Sequence, residues 1–88
     1  RWNGQQLVSE KWISAARQPS PAFRRYGYLW WLNTEKTWPA VSEKVFSAQG
    51  FGGNYIIVDS DRDLVVVARW LNDAKVGEWL ALIGKAVE

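Results

Sequence analysis

A reaction at a protein surface needs a nucleophile, a base or a bound ion, and this sequence is short of all three. It contains no histidine and no cysteine. That removes the commonest general base, the commonest metal ligand and all thiolate chemistry. Hydroxyls are present at Ser9, Ser14, Ser20, Ser42, Ser47 and Ser60, but none has a lysine three residues on or sits at a G-x-S-x-G elbow. The nearest approaches, Ser9 to Lys11 and Ser42 to Lys44, fall one residue short. An unactivated serine is a poor nucleophile, so each reads as a cap, turn or strand residue. Asp59, Asp61 and Asp63 have the D-x-D-x-D spacing of a calcium loop, yet Leu64 stands where that loop needs its glycine and Trp70 where it needs a bidentate glutamate. They read as a solvated hairpin turn, with no metal and no cofactor. Gly50-Phe51-Gly52-Gly53 lacks a following Lys-Ser/Thr and runs into a strand, whereas phosphate loops open a helix.

The stretch that does carry information is Phe46-Ser-Ala-Gln-Gly-Phe-Gly-Gly-Asn-Tyr-Ile-Ile-Val-Asp59, followed by Asp61-Arg-Asp-Leu-Val-Val-Val-Ala-Arg-Trp70. Glycines clustered between apolar runs mean that backbone comes close to something, as in a strand lining a cleft. Of the seven tryptophans, Trp12 and Trp79 lie on helical apolar stripes and are expected in the core. Trp30 and Trp31 must point to opposite faces of a regular strand. Trp38, beside Pro39 in a polar stretch, is the candidate for an exposed functional aromatic.

Positioning these residues requires few elements. Eighty-eight residues suit one small domain, 1–88, near the lower limit of core size. Eleven basic residues against nine acidic give +2, scattered along the chain except for Arg24-Arg25, which offers no stripe for nucleic acid. No apolar run reaches membrane-span length. The absence of methionine leads to the expectation that the chain is part of a longer polypeptide. Leu7, Val8, Trp12, Ile13 and Ala16 at helical spacing, started by Ser9 and ended by Pro19 and Pro21, predict a helix over 8–17. Tyr26 to Leu32 is aromatic and predicts a strand. Asn33 to Glu43 reads as a surface connection. Strands follow at 46–49, 55–58 and 64–70, with a turn at Ser60-Asp61-Arg62. Asn72 or Asp73 caps a last helix bearing Val76, Trp79, Leu80, Ile83 and Val87 as one stripe. The expected class is α+β: an antiparallel sheet of one aromatic strand plus a three-strand meander, with a helix from each end of the chain packed on it.

The succession Tyr26-Gly-Tyr-Leu-Trp-Trp, Ala48-Gln-Gly-Phe-Gly-Gly-Asn-Tyr and Val58-Asp-Ser-Asp-Arg-Asp-Leu-Val-Val-Val resembles the C-terminal end of the serine β-lactamase-like superfamily. That superfamily includes class C β-lactamases, DD-peptidases, and related esterases and 6-aminohexanoate-oligomer hydrolases. The resemblance spans nearly the whole chain and implies a partial β-lactamase/transpeptidase-like fold. It also implies a parent that forms and hydrolyses an acyl-enzyme through a serine and lysine in S-x-x-K and a tyrosine in a second motif, none of which occurs here. The third motif, K-T-G or a variant on the cleft strand, falls on Ala48, Gln49 and Gly50. An uncharged Ala48 cannot clamp a substrate carboxylate, which favours the ester or amide hydrolases over penicillin-recognising enzymes. The residue after the motif, Phe51, is implied to give its main-chain N–H to the oxyanion hole, with Gly52 and Gly53 beside the substrate; Trp38 is added to these substrate-side candidates as the exposed aromatic read from its polar surroundings. A β-bulge or strand bend without a ligand would also account for the glycines.

The expectation is therefore a C-terminal segment of a penicillin-binding-protein-like serine hydrolase that is inactive by itself. Its partners are a small ester, amide or peptide-like substrate in the parent, and either the N-terminal segment of the same protein or a second copy. The rival is a self-contained, non-catalytic Trp-rich module that grips a glycan or peptide through Trp38, Tyr28 and Trp30 or Trp31; a third reading is a relative that has lost activity. A periplasmic and a cytoplasmic home are both compatible with the sequence.

Overall fold

The computed structural model describes residues 1–88. The elements in chain order are α1 (Glu10–Ala16), β1 (Trp31–Leu32), β2 (Phe46–Gly50), β3 (Asn54–Asp59), β4 (Leu64–Ala68) and α2 (Val76–Ala86), the last preceded by a single 3-10 turn at Asp73–Lys75. The strands form one antiparallel sheet in the order β1-β2-β3-β4, with the two helices packed on it, an α+β architecture. No helix is long and apolar enough to cross a membrane.

Strand periodicity decides the core. In β3, Tyr55, Ile57 and Asp59 are buried while Ile56 is exposed. The register Tyr55↔Ala68 and Ile57↔Val66 places the matching side chains of β4 on the same face. Val76 and Leu80, one helical turn apart on α2, close over them, and Val41 and Val45 complete the cluster with Trp38, Val66, Leu71 and Trp79 around it. Side-chain caps set the helix starts: Ser9 accepts the Trp12 N–H, and Asn72 accepts the Ala74 N–H. In the β3–β4 turn the Asp59 carboxylate accepts the Asp61 and Arg62 amides and pairs with the Arg62 guanidinium at 2.8 Å, so the acidic cluster serves the turn. Hydrogen bonds from Ser42 and then Lys44 hold the neighbouring Asp61 carboxyl below its ordinary range.

Three expectations are corrected. Tyr26 to Leu32 is not one strand: only Trp31 and Leu32 join the sheet, and the chain doubles back so that Tyr26 bridges Trp31, with Leu29 at φ +80°. The end of α1 causes this. The Ala16 carbonyl accepts the Tyr28 N–H, and a Cβ on Gly27 would lie 2.2 Å from that same oxygen, so this tertiary contact overrides the β-propensity of the run. The predicted stripe of α1 is mostly solvent-facing: Ala16 is buried, but Leu7 and Trp12 are 67% and 58% exposed, and Trp12 rests on Tyr28 with ring centroids 5.4 Å apart. Asn33–Glu43 is no mere surface connection, because Asn33 and Val41 are buried.

Candidate functional site

Backbone alternation along β2 determines which groups face outward. The Val45 carbonyl accepts the Asn33 N–H on the β1 side. By the pairing rule of antiparallel strands, the main-chain groups of Ser47 and Gln49 then point the same way. β1 pairs only with Phe46 and Ser47, so from Ala48 onward this edge has no partner strand. Phe51 follows the last ladder pair, Gly50↔Asn54. Its carbonyl accepts Asn54 Nδ2 at 2.7 Å, while its N–H donates to no atom of the chain.

This open edge borders a hollow of about 740 Å³. Gln49, Gly50, Phe51, Gly52, Gly53 and Trp38, each singled out from the sequence, all line it. Ala48 does not; it lies on the opposite face of the sheet with Trp12, Tyr28, Leu29 and Trp30. The close approach foreseen for the glycines is to the chain itself. Gly53, at φ +79°, would place a Cβ 1.8 Å from the Leu71 carbonyl oxygen, and its own carbonyl accepts the Leu71 N–H at 3.0 Å. Contact with Leu71 thus fixes the loop that carries Phe51.

The far wall rests on a residue the sequence reading passed over. Asn33 is buried, and its amide nitrogen donates to the carbonyls of Trp38, Val41 and Ser42 while its oxygen accepts the Trp38 N–H at 2.8 Å. That side chain organises the loop, so Trp38 is half-buried with its ring edge-on to Tyr55 at 6.3 Å. The signal available in sequence was an asparagine directly after an aromatic strand, a short amide able to satisfy several loop groups at once. Tyr55 Oη hydrogen-bonds to Asp73 across eighteen residues of chain, a pairing with no local signature. Burial first, then that hydrogen bond and the Asp73 charge, push the phenol up to about 12. Tyr55 therefore stays protonated at neutral pH and cannot act as a base there. Arg25 is the one cation among the lining residues, with its guanidinium 5.1 Å from the Phe23 ring. No cluster of acidic side chains in the structure could hold a metal ion.

No family model, curated protein or solved structure matches this chain.

Proposed function

We propose that this chain is the C-terminal segment of a penicillin-binding-protein-like serine hydrolase related to the β-lactamases, acting on an ester or amide by acyl transfer. Its part is the oxyanion-side wall of the cleft; the attacking serine, its lysine and the tyrosine belong to another stretch of the polypeptide. The observation that carries this reading is the unpartnered Phe51 N–H at the open edge of β2, beside the hollow. Such a donor, aimed at the oxygen of an acyl carbonyl, stabilises the charge that grows there as the nucleophile adds. Ala48, neutral and turned to the other face, supplies no cation at the third-motif position. Of the residues the rival binding module would use, Trp31 and Trp38 line the hollow whereas Tyr28 and Trp30 lie on the opposite face, so the four do not make one platform.

An activated ester such as p-nitrophenyl acetate tests the reading by mass spectrometry. The 88-residue chain alone should remain unmodified. The protein encoded by the reading frame extended upstream of Arg1 should gain one acyl group, on a serine three residues before a lysine. Stoichiometric acylation of the isolated chain, or an extended frame with no S-x-x-K, overturns it.

A further inference from the structure

A donor that stabilises a growing oxyanion must be held still, and Phe51 has little of its own to hold it. Its side chain is fully exposed, and Gly52 and Gly53 follow it at φ +88° and +79°. No main-chain group of Phe51 or Gly52 bonds to another main-chain group. The Trp70 ring lies beside Gly52 as a packing contact. The polar contact that reaches the loop comes from Asn54, the first residue of β3, whose Nδ2 donates to the Phe51 carbonyl at 2.7 Å.

Asn54 stands between two strands. It pairs with Gly50 of β2, and on its other side, one step past the last β3–β4 pair Tyr55↔Ala68, it meets Arg69. Arg69 Nε donates to Asn54 Oδ1 at 3.0 Å. A guanidinium carries donors only, so it fixes which end of the amide faces it and leaves the NH2 end for Phe51. We infer that Asn54 and Arg69 are positioning residues for acyl transfer: Arg69 orients the Asn54 amide, and that amide holds the loop so that the Phe51 N–H stays aimed across the open edge of β2. The inference rests on the hydrolase reading of the hollow. By the alternation along β2 the Gly50 carbonyl faces β3, so the N–H of the same peptide, that of Phe51, points the other way. A peptide plane rocks by turning about the bonds on either side of it. With the Gly50 carbonyl in the ladder and the Phe51 carbonyl on Asn54, both planes that flank Phe51 are tied and the rocking is stopped.

In the protein encoded by the upstream-extended reading frame, p-nitrophenyl acetate should give a burst whose amplitude counts folded sites and whose rate constant reads the oxyanion donor. Asn54→Ala should lower that rate constant about tenfold or more at unchanged amplitude and half-saturating ester concentration, a misplacement of about 1 Å costing up to about 10²-fold. Asn54→Asp keeps a partner for Arg69 but turns a carboxylate toward the Phe51 carbonyl, and should be as slow as Asn54→Ala. Arg69→Ala should cost about threefold, and nothing further in the Asn54→Ala background. Asn54→Asp at the unsubstituted rate shows a tie between strands only and overturns the inference. So does a fall confined to burst amplitude, which is loss of folded protein. If neither Asn54 variant folds, Arg69→Ala, exposed and outside the loop, decides by its rate: an unchanged one overturns the inference. Failure of the hydrolase reading is visible separately, as no acylation of the unsubstituted extended protein, and removes this inference with it.

Discussion

Replacing Asn33 by alanine removes the side chain that ties the Trp38 loop to the sheet. The amide nitrogen has two hydrogens shared among three carbonyls, at 3.1, 3.3 and 3.0 Å for Trp38, Val41 and Ser42, and the oxygen accepts the Trp38 N–H at 2.8 Å. Val41 retains a partner, since Lys36 Nζ donates to the same carbonyl at 2.8 Å. The Trp38 and Ser42 carbonyls keep the Val41 and Val45 N–H groups, at 3.2 and 3.1 Å, so only the Trp38 N–H is left without a partner, and the bonds lost are the two made by the amide hydrogens and the one its oxygen accepts. At about 1 kcal/mol for each lost bond, the cost is about 3 kcal/mol. A chain of 88 residues holds roughly 4–13 kcal/mol in total, so the loss is a large share. Urea titration followed by tryptophan fluorescence should show the midpoint falling by about 1–3 M. Asn33→Asp keeps the acceptor but turns a carboxylate toward carbonyl oxygens, which raises its folded-state pKa. Its stability should be highest below the ordinary carboxylate pKa and fall as pH rises through the elevated one. A loss under about 1 kcal/mol for Asn33→Ala would refute this account of the loop.

Tyr55 gives a second pH effect with its sign fixed by the raised phenol. The protonated form is the one the fold holds, so its contribution is complete below the ordinary tyrosine pKa of 10.0 and disappears as pH rises toward about 12. Wild-type stability should drop between those values more steeply than that of Tyr55→Phe, measured by urea titration at several alkaline pH values. Gly53→Ala combines a left-handed backbone with a Cβ 1.8 Å from the Leu71 carbonyl oxygen and should cost more than about 2 kcal/mol, whereas Gly50→Ala, whose nearest neighbour is at 3.6 Å, should be mild by the same titration.

Where a residue's environment is made by its sequence neighbours, the sequence displays it. The β2–β3–β4 meander was visible in alternation and turn residues, the caps at Ser9 and Asn72 in residue type, and the Val76 and Leu80 stripe in helical spacing. Where a distant contact decides, it is silent. Tyr26–Leu32 has the composition of a strand, and only the Ala16 carbonyl, ten residues upstream of Tyr26, explains why it folds back. Trp12 sits on an apolar stripe that this chain leaves uncovered. Within the site, the residues of 49–53 could be singled out because glycine marks backbone approach. Asn33, Asp73 and Arg25 could not, because polar residues outside the strands look alike until the fold shows which of them is buried or aimed inward, and Tyr55, in β3, shows nothing in sequence of its bond to Asp73. Ala48 was placed with its neighbours by motif, but alternation turns it to the other face.

The central claim concerns one hydrogen atom, and proline can remove it. Phe51→Pro deletes the N–H at a position whose side chain is fully exposed and whose preceding residue, Gly50, is extended as proline prefers, while Phe51→Ala keeps the N–H. In the protein encoded by the upstream-extended reading frame, the acylation rate constant with p-nitrophenyl acetate should fall roughly 10²–10³-fold for Phe51→Pro. Phe51→Ala should stay within about threefold of the parent, as surface truncations do. Equal rates for the two variants would contradict the claim.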